Sequence, residues 1–425
     1  MELDGKPNGD TGSGGSAVSR APRRKMPAAF RRLSYLRWLP GYSWQQLTRR
    51  QPRGSVHLIF ALADHFEPAI VPEDGRARAP YDEQERRLEA WCRDYPEAVR
   101  EFRDSSGRPF VHTYFYPAEQ DDRALVARLA EHCHSGWGEV EIHLHHGIDG
   151  ATSAAETRRQ LAGFRDRLAN DHGCLSYVDG SGAPHYAFVH GNFALANSAN
   201  GYGCGVDEEM KILAETGCYA DLTLPTGAFH RAQIAKVNSI YECALPLDRR
   251  APHRKGRDLR LGRPLRTFPV IIQGPLMLDF DRSSRSGFGR FETAALTDAN
   301  PPSLRRLRLW RRASISVQGR PDWLFIKLHC HSMYPNHRRA VLGEAMQSFL
   351  SELVAGAGER KETLHFVTAR EMVNMLWAAC DGREGDPDQY RDYRLRLAPE
   401  GAPARTRGDL RRDPQDVASP VNVKG

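Results

Sequence analysis

The chain has 425 residues, long enough to bury a sizeable core, with a net charge of +7 and 40% apolar residues. No stretch approaches the roughly 20 consecutive apolar residues of a membrane-spanning helix, and the acidic, glycine-rich start lacks the pattern of a secretion signal. The eight cysteines contain no Cys-x-x-Cys pair, so we expect free thiols, a reducing compartment and a cytoplasmic location.

The positive charge is concentrated near the start of the chain. Ten Lys and Arg residues lie between Arg20 and Ser55, a segment without Asp or Glu. Aromatic residues are mixed among them, a pattern that allows peripheral contact of residues 20–53 with a membrane or an anionic polymer. The alternative, which we favour, is that this arm packs its aromatic side chains on the rest of the protein. No nucleic-acid-binding motif is present, so we expect no nucleic-acid partner.

Beyond the arm, predicted strands and helices alternate. The first strand, 55–63, is a largely apolar run between Gly54 and Asp64, which is typical of a strand buried on both faces. The further predicted strands are 109–115, 138–145, 185–190, 219–224, 267–273, 323–329 and 363–367. The predicted helices are 82–103, 121–134, 152–169, 206–217, 338–356 and 369–380.

Repeated βα units of this kind favour an α/β fold whose parallel sheet closes, or nearly closes, into a barrel. We assign the barrel to residues 55–380 and the basic, aromatic arm to residues 20–54. Residues 1–19 are rich in Gly, Ser and Asp, and we expect a disordered tail there. Residues 381–425 form a polar extension that we expect to be largely disordered.

Reactive side chains cluster where predicted strands end. In parallel α/β folds these ends share one face of the molecule, where active sites are found. We therefore expect the side chains at the ends of the first, third and penultimate strands to converge. They are Asp64, His65, His143, His145, His146, His329 and His331.

The third strand carries the strongest signal, three histidines within four residues. The two-residue period of a strand places His143 and His145 on one face, and neutral imidazole is the most common metal ligand in proteins. Asp221, within another predicted strand, is a further candidate, although it could equally cap a turn. His190, alone at the end of its strand, fits a structural loop histidine better than a ligand.

The chemistry that these residues suit is metal-assisted hydrolysis. Zn²⁺ accepts His and carboxylate donors together, polarises a carbonyl group and makes bound water more acidic. A carboxylate can then take a proton from water, and a histidine can protonate the leaving group. A serine hydrolase is disfavoured because no Gly-x-Ser-x-Gly turn precedes a helix.

The order of these motifs resembles the polysaccharide deacetylase superfamily, metal-dependent enzymes with a distorted (β/α) barrel. Its first strand ends in T-F-D-D-G, and the stretch 62–68 (LADHFEP) is similar. Its second motif is H-x-x-x-H after a strand, and 139–147 (EVEIHLHHG) is similar. Its late strand ends in L-L-H, which 326–329 (IKLH) resembles. The resemblance covers about residues 55–380.

This resemblance implies roles for the candidate residues. Asp64 would be base or metal ligand, with His65 or Glu67 in place of the second aspartate of the family's motif. His143 together with His145 or His146 would bind a divalent metal ion, which we expect to be Zn²⁺, and His329 or His331 would be the general acid. The substrate would be an N- or O-acetylated polysaccharide or its precursor.

Two other functions fit the same sequence. A glycosidase on this barrel would need two carboxylates, for which Asp64 with Asp221 or Asp279 could serve. A catalytically inactive scaffold in a polysaccharide biosynthesis assembly is suggested by the missing second aspartate of the first motif. Metal content and its loss on substitution of His143 separate these alternatives.

Overall fold

The computed structural model describes residues 36–49, 51–52, 54–71, 77–147, 152–179, 181–280 and 290–398. Its helices are α1 (Leu39–Thr48), α2 (Tyr81–Val99), α3 (Arg123–His132), α4 (Ala154–Asn170), α5 (Glu209–Glu215), α6 (Leu304–Arg312), α7 (Pro335–Leu342), α8 (Glu344–Ala355) and α9 (Ala369–Cys380). Its strands are β1 (Val56–His65), β2 (His112–Pro117), β3 (Gly138–Leu144), β4 (Ser176–Val178), β5 (Ser181–His190), β6 (Cys218–Asp221), β7 (Ile240–Cys243), β8 (Gly256–Asp258), β9 (Val270–Ile272), β10 (Met277–Asp279), β11 (Arg290–Glu292), β12 (Trp323–Cys330), β13 (Glu362–Phe366) and β14 (Leu395–Leu397). The predicted tail at residues 1–19 and the end of the predicted extension, from residue 399, lie outside the described residues.

Most of the strands form one large, mainly parallel sheet. Its hydrogen-bonded order is β12-β1-β2-β3-β5-β6-β9-β7-β8. β1 pairs with β12 on one side and, on the other, with β13 along Val56–Phe60 and with β2 along Leu62–His65. The strands from β12 to β9 are parallel, whereas β7 and β8 continue the sheet antiparallel. The prediction of an α/β fold with a largely parallel sheet is confirmed.

The predicted barrel is not closed. The pairing of the described strands ends at β12 and β8 and does not return to its start. Beside β12 lies the irregular segment 294–296, bonded to the main chain of His329 at 3.0 and 2.9 Å. Lys327 of β12 also reaches across, donating from Nζ to the carbonyl oxygens of Leu222 and Leu224, each at 2.7 Å. The sheet is thus curved so that β12 approaches the segment that follows β6. Here β12 is joined by loop and side-chain hydrogen bonds, not by the backbone pairing of strands that would close a barrel.

Alternation along each strand sends neighbouring residues to opposite faces of the sheet. Leu62 packs in the apolar core shared with α2, α3, α4 and α5, which we call the outer face. Ala63 packs in the core that contains α9, which we call the inner face. The same alternation places Asp64 on the outer face and His65 on the inner face. The sheet therefore separates two residues that are adjacent in sequence.

The described part of the N-terminal arm docks on the sheet through its aromatic side chains. Trp38, just before α1, is fully buried and donates from Nε1 to the carbonyl oxygen of Ala228 at 3.1 Å. The hydroxyl of Tyr42 accepts a hydrogen bond from the main-chain N–H of Leu278 at 3.2 Å. Trp44, on the far side of α1, is 67% exposed. Residues 36–49 of the arm are thus part of the folded body.

The segment after residue 380 differs from the expected disorder as far as residue 398. β14 pairs antiparallel with β4, and Arg391 is buried. The guanidinium of Arg391 bonds to Asp104 at 2.8 Å and to Glu371 at 3.1 Å. The buried carboxylate of Asp104 and the largely buried one of Glu371 thus anchor this segment. The polar composition of the segment predicts disorder because it does not reveal these partners elsewhere in the chain.

All eight cysteines are free, as predicted, and all eight are buried. Within the described residues, no helix combines the length and apolar character needed to cross a membrane.

His253 makes the stability of the protein sensitive to acid. Its side chain is fully buried, neither ring nitrogen has a hydrogen-bond partner, and burial lowers its pKa to about 3. When the pH is below the ordinary histidine pKa of about 6.5, His253 is protonated in the unfolded chain but stays neutral in the folded protein. We therefore expect this residue to make the free energy of unfolding fall as the pH drops from about 6.5 towards 3, by about 1.4 kcal/mol per pH unit.

Denaturant unfolding of the wild type and of His253→Leu at several pH values checks this expectation. The variant should lose less stability than the wild type between about pH 6 and pH 4. His134→Leu, which removes an exposed histidine, is the matched control and should run parallel to the wild type. Parallel curves for His253→Leu as well would refute the assignment.

Candidate metal centre

Five histidines and one glutamate gather on the inner face at the carboxyl-terminal end of the sheet. His65 is the last residue of β1, and Glu67 follows two residues later. His143 lies near the end of β3, and His329 near the end of β12. His145 and His331 complete the group, which we call the inner cluster. Parallel pairing of these strands around β1 brings their ends, and thus these side chains, to one place.

The rings of the inner cluster surround His65. The centroid of the His65 ring lies 4.4 Å from that of His331, 4.8 Å from that of His143 and 6.0 Å from that of His329. The rings of His143 and His145 are 4.6 Å apart. One atom each from His65, Glu67 and His143 can be chosen so that all three lie within 4.8 Å of one another. A single small cation could therefore contact all three.

The hydrogen bonds of two rings fix which nitrogen faces the glutamate. The Nδ1 of His143 lies 2.9 Å from the carbonyl oxygen of Val189, which only accepts, so this nitrogen carries the hydrogen. Nε2 of His143, 3.2 Å from Oε1 of Glu67, is then a lone pair directed at a carboxylate in the neutral ring. His145 repeats the arrangement, with Nδ1 2.6 Å from Oε1 of Glu119 and Nε2 3.7 Å from Oε1 of Glu67.

Metal-binding histidines nearly always donate their second ring N–H to a backbone carbonyl or a carboxylate, which fixes the tautomer and orients the ring. His143 has the carbonyl partner and His145 has the carboxylate partner. The Nδ1 of His65, buried, has no hydrogen-bond partner. These features are the ones expected where a cation belongs between Glu67 and the rings.

Burial and charge set the protonation of the cluster. Burial lowers the pKa of His65 and of His329 well below the usual value and that of His331 to about 4, so these rings are neutral near pH 7. Burial acts in the same direction on His145, but the carboxylates of Glu67 and Glu119 outweigh it and raise its pKa to about 9. Neutral rings are the form that binds metal, and His145 would release its proton to do so.

Glu67 is the only carboxylate at the centre of the cluster among the described residues. Burial alone would raise its pKa, yet the neighbouring His145 and His143 lower it to about 2. Glu67 is therefore ionised at any physiological pH. One negative charge surrounded by imidazoles is a donor set that fits Zn²⁺, which binds His and carboxylate ligands together.

Three of the residues predicted for this site lie elsewhere. Asp64, on the outer face, bonds to Nδ1 of His112 at 3.1 Å and accepts from the main-chain N–H of Ser332 at 2.9 Å. His146 turns to the outer face, with Nε2 2.6 Å from Oε1 of Glu209. Asp221 is buried in β6 beside Thr223, and burial raises its pKa to about 7.

Asp64 still bears on the site through the chain that it holds. Ser332 directly follows His331, so the bond to its N–H fixes the backbone that carries the His331 ring. This is a positioning role, and the placement does not bring Asp64 among the ligands. Asp64 and His65 both lie within β1, and neighbouring residues of a strand point to opposite faces of the sheet. Because His65 faces inward, Asp64 must face outward.

Small and apolar neighbours shape the site. A side chain at Gly191 would place its first carbon 2.2 Å from the ring of His145, so only glycine leaves room for that ring. The ring of Phe193 lies 5.7 Å from that of His65 and 6.2 Å from that of His329, and it covers one side of the cluster. His145 is 21% exposed and His331 half-buried, so the opening to solvent is on their side.

Two carboxylates of this arrangement were weak or absent as sequence candidates. The family resemblance points to Glu67 only as a substitute for a missing aspartate, and no sequence motif points to Glu119. Both follow directly on strands that end at the same face, β1 and β2, and that position is the signal that could have found them. The buried His and Glu groups could hold a metal ion.

No protein-family model matches the chain, and no curated protein is significantly similar to it in sequence.

Proposed function

We propose that the protein is a metal-dependent hydrolase that removes N- or O-linked acetyl groups from a carbohydrate. The observation that carries the proposal is the pair of histidines, His143 and His145, whose Nδ1 atoms are held by acceptors while their Nε2 atoms face Glu67. The carbohydrate substrate is inferred from the resemblance of the sequence motifs to polysaccharide deacetylases.

In this proposal five residues of the inner cluster have a task. His65, Glu67 and His143 bind a divalent ion, for which Zn²⁺ is the best fit, and His145 with Glu119 completes or orients the set. When bound, such an ion supplies Lewis acidity, which polarises an acyl carbonyl and makes water more acidic. His331, neutral and half-buried on the open side, can take a proton on a ring nitrogen and return it to the leaving amine or alcohol. Phe193 limits the access of bulk water.

The two-carboxylate glycosidase has no comparable support. Asp64 faces the outer side of the sheet, and Asp279 is paired with Arg305. Neither carboxylate lies among the residues of the inner cluster. The inactive scaffold is separated from the hydrolase by experiment.

The test combines elemental analysis of the purified full-length protein with acetate release from acetylated chitin oligosaccharides and acetylated xylan. We expect bound Zn²⁺ or a related ion, and acetate release that a chelator abolishes and added metal restores. Cleavage of glycosidic bonds that survives metal removal would favour the glycosidase. A protein without metal after reconstitution, and without hydrolysis, would overturn the proposal in favour of the scaffold.

A further inference from the structure

A second group of ligand-type side chains lies on the outer face, outside the inner cluster. His146 follows β3, His190 is the last residue of β5, and Glu209 is the first residue of α5. Cys204 comes from the connection between β5 and α5. One ligand atom from each of these four residues can be chosen so that all lie within 4.8 Å of one another. We call these residues the outer cluster.

The outer cluster is fully enclosed. His190, Cys204 and Glu209 are 0% exposed and His146 is 6% exposed. Nε2 of His190 lies 3.5 Å from Oε1 of Glu209, and Sγ of Cys204 lies 3.7 Å from Oε2. A site that is closed to solvent and offers four protein donors is typical of structural metals, whereas catalytic metals keep one position open.

The buried carboxylate of Glu209 faces the rings of His146 and His190, at 2.6 and 3.5 Å. Among the ion pairs found in the described residues, none joins Glu209 to a Lys or Arg. Nδ1 of His146 and Nε2 of His190 are buried without a hydrogen-bond partner. A buried carboxylate is costly unless it is paired or coordinates a metal. A cation beside Glu209 would meet Nε2 of His146, Nε2 of His190 and the thiol of Cys204, which lie 2.6, 3.5 and 3.7 Å from the carboxylate. To bind it, His190 would move its ring hydrogen from Nε2 to Nδ1, which now accepts from the N–H of Asn192.

The chain between β5 and α5 gives such a site a structural task. Apart from a short 3-10 turn at Leu195–Asn197, residues 191–208 have no regular structure. Phe193, Ala196 and Asn200 in this connection have positive φ angles of 56°, 46° and 62°. A connection of this length without secondary structure is uncommon in a compact domain. Ligands at its start, near its end and from the loop after β3 would tie it in place.

We propose that His146, His190, Cys204 and Glu209 bind a structural Zn²⁺ ion, separate from the ion of the inner cluster. The inference goes beyond the proposed hydrolase activity and does not depend on it, because the two sets share no residue. Burial raises the pKa of the Cys204 thiol above its usual value, so the thiol is protonated without metal. On binding, the S–H proton passes to solvent and the thiolate binds the ion.

Cobalt substitution of the wild-type protein tests the assignment, and this test does not require any variant to fold. The protein is stripped with a chelator and reloaded with Co²⁺, and its near-ultraviolet spectrum is recorded. We expect the intense sulfur-to-cobalt charge-transfer band of a thiolate ligand, since Cys204 would be the only sulfur donor at either cluster. The band should disappear in Cys204→Ser and persist in Cys330→Ser. Cys330 is the matched control because it too is buried beside a histidine and a carboxylate.

Metal content distinguishes this proposal from the proposed function. Cys204→Ser should bind one metal equivalent fewer than the wild type and unfold at a lower temperature. His143→Ala should also lose one equivalent, but from the inner cluster, and should keep the sulfur-to-cobalt band. Loss of the equivalent in Cys204→Ser alone would support the outer site and overturn the inner one.

Two results would overturn the outer site. One is wild-type protein loaded with Co²⁺ that lacks a thiolate band, and the other is a band that Cys330→Ser rather than Cys204→Ser abolishes. Glu209 would then hold the connection by hydrogen bonds alone, accepting from His146 and from the main-chain N–H of Ala196. In that arrangement the main-chain N–H of Asn192 donates a hydrogen bond to Nδ1 of His190, at 3.1 Å.

Discussion

Replacing His143 with alanine should remove the metal of the inner cluster and lower the rate of acetate release by more than about 100-fold. Loss of a residue that merely orients a metal ligand costs about 10–100-fold in affinity or activity, and His143 is proposed as a ligand itself. Glu119→Gln, which alters only the acceptor that orients His145, should therefore fall between this variant and the wild type. Metal content and kcat/KM for an acetylated oligosaccharide measure both effects.

His134→Ala is the matched control for this series, because it removes an exposed histidine outside both clusters. It should bind as much metal and release acetate as fast as the wild type. The graded order of the variants is the informative outcome. If His143→Ala kept both its metal and its activity, His143 could not be a ligand, and the hydrolase mechanism proposed for the inner cluster would fail with it.

The largest expected effect on stability comes from Arg306, a buried residue of α6. Its Nε lies 2.6 Å from Oε2 of Glu292 and its Nη2 lies 2.7 Å from Oε1, with the two side chains 1% and 3% exposed. Nη2 also donates to the carbonyl oxygen of Ala295 at 2.8 Å. Arg306→Leu leaves Glu292 buried and unpaired, so we expect unfolding to become easier by about 3–5 kcal/mol, measured by denaturant titration.

A double variant separates the cost of the lone charge from the value of the pair. Arg306→Leu combined with Glu292→Leu should recover much of the lost stability, because apolar replacements of a buried ion pair are often neutral. Arg86→Ala breaks two ion pairs, to Asp82 and Glu83, in which the arginine side chain is 65% exposed, and it should change stability by only about 0–1 kcal/mol. Equal losses for Arg306→Leu and Arg86→Ala would contradict this account.

Eight strands of the sheet could be predicted from the sequence because each contains a short run rich in apolar or aromatic residues. Further strands of only three or four residues, β4, β7, β8, β10, β11 and β14, were not predicted. The run before Asp64 and the run before His329 both correspond to strands of the sheet. Helix positions were predicted less closely. The helix expected at 338–356 is broken at Gly343, where a side chain would come within 2.5 Å of the carbonyl oxygen of Arg339.

What could not be predicted depends on partners distant in sequence. The apolar pattern of β1 does not predict whether Asp64 or His65 faces inward, because both faces of a central strand are buried. Barrel closure failed for a similar reason, since it depends on how an irregular segment near residue 295 meets β12. Glu119 reaches His145 of the inner cluster only because β2 and β3 are paired in a register that sets Pro117 opposite His143.

The backbone after β3 carries one imidazole to each face of the sheet in consecutive residues, His145 inward and His146 outward. The next residue, Gly147, adopts a positive φ of 71°, and a side chain there would come within 2.9 Å of the main chain of Cys204. Little freedom is left for one ring to move while the other stays. An ion bound at one of the two proposed sites would order this peptide and so lower the entropic cost of ordering it for an ion at the other. By reciprocity, each of the two proposed ions would then favour the binding of the other equally.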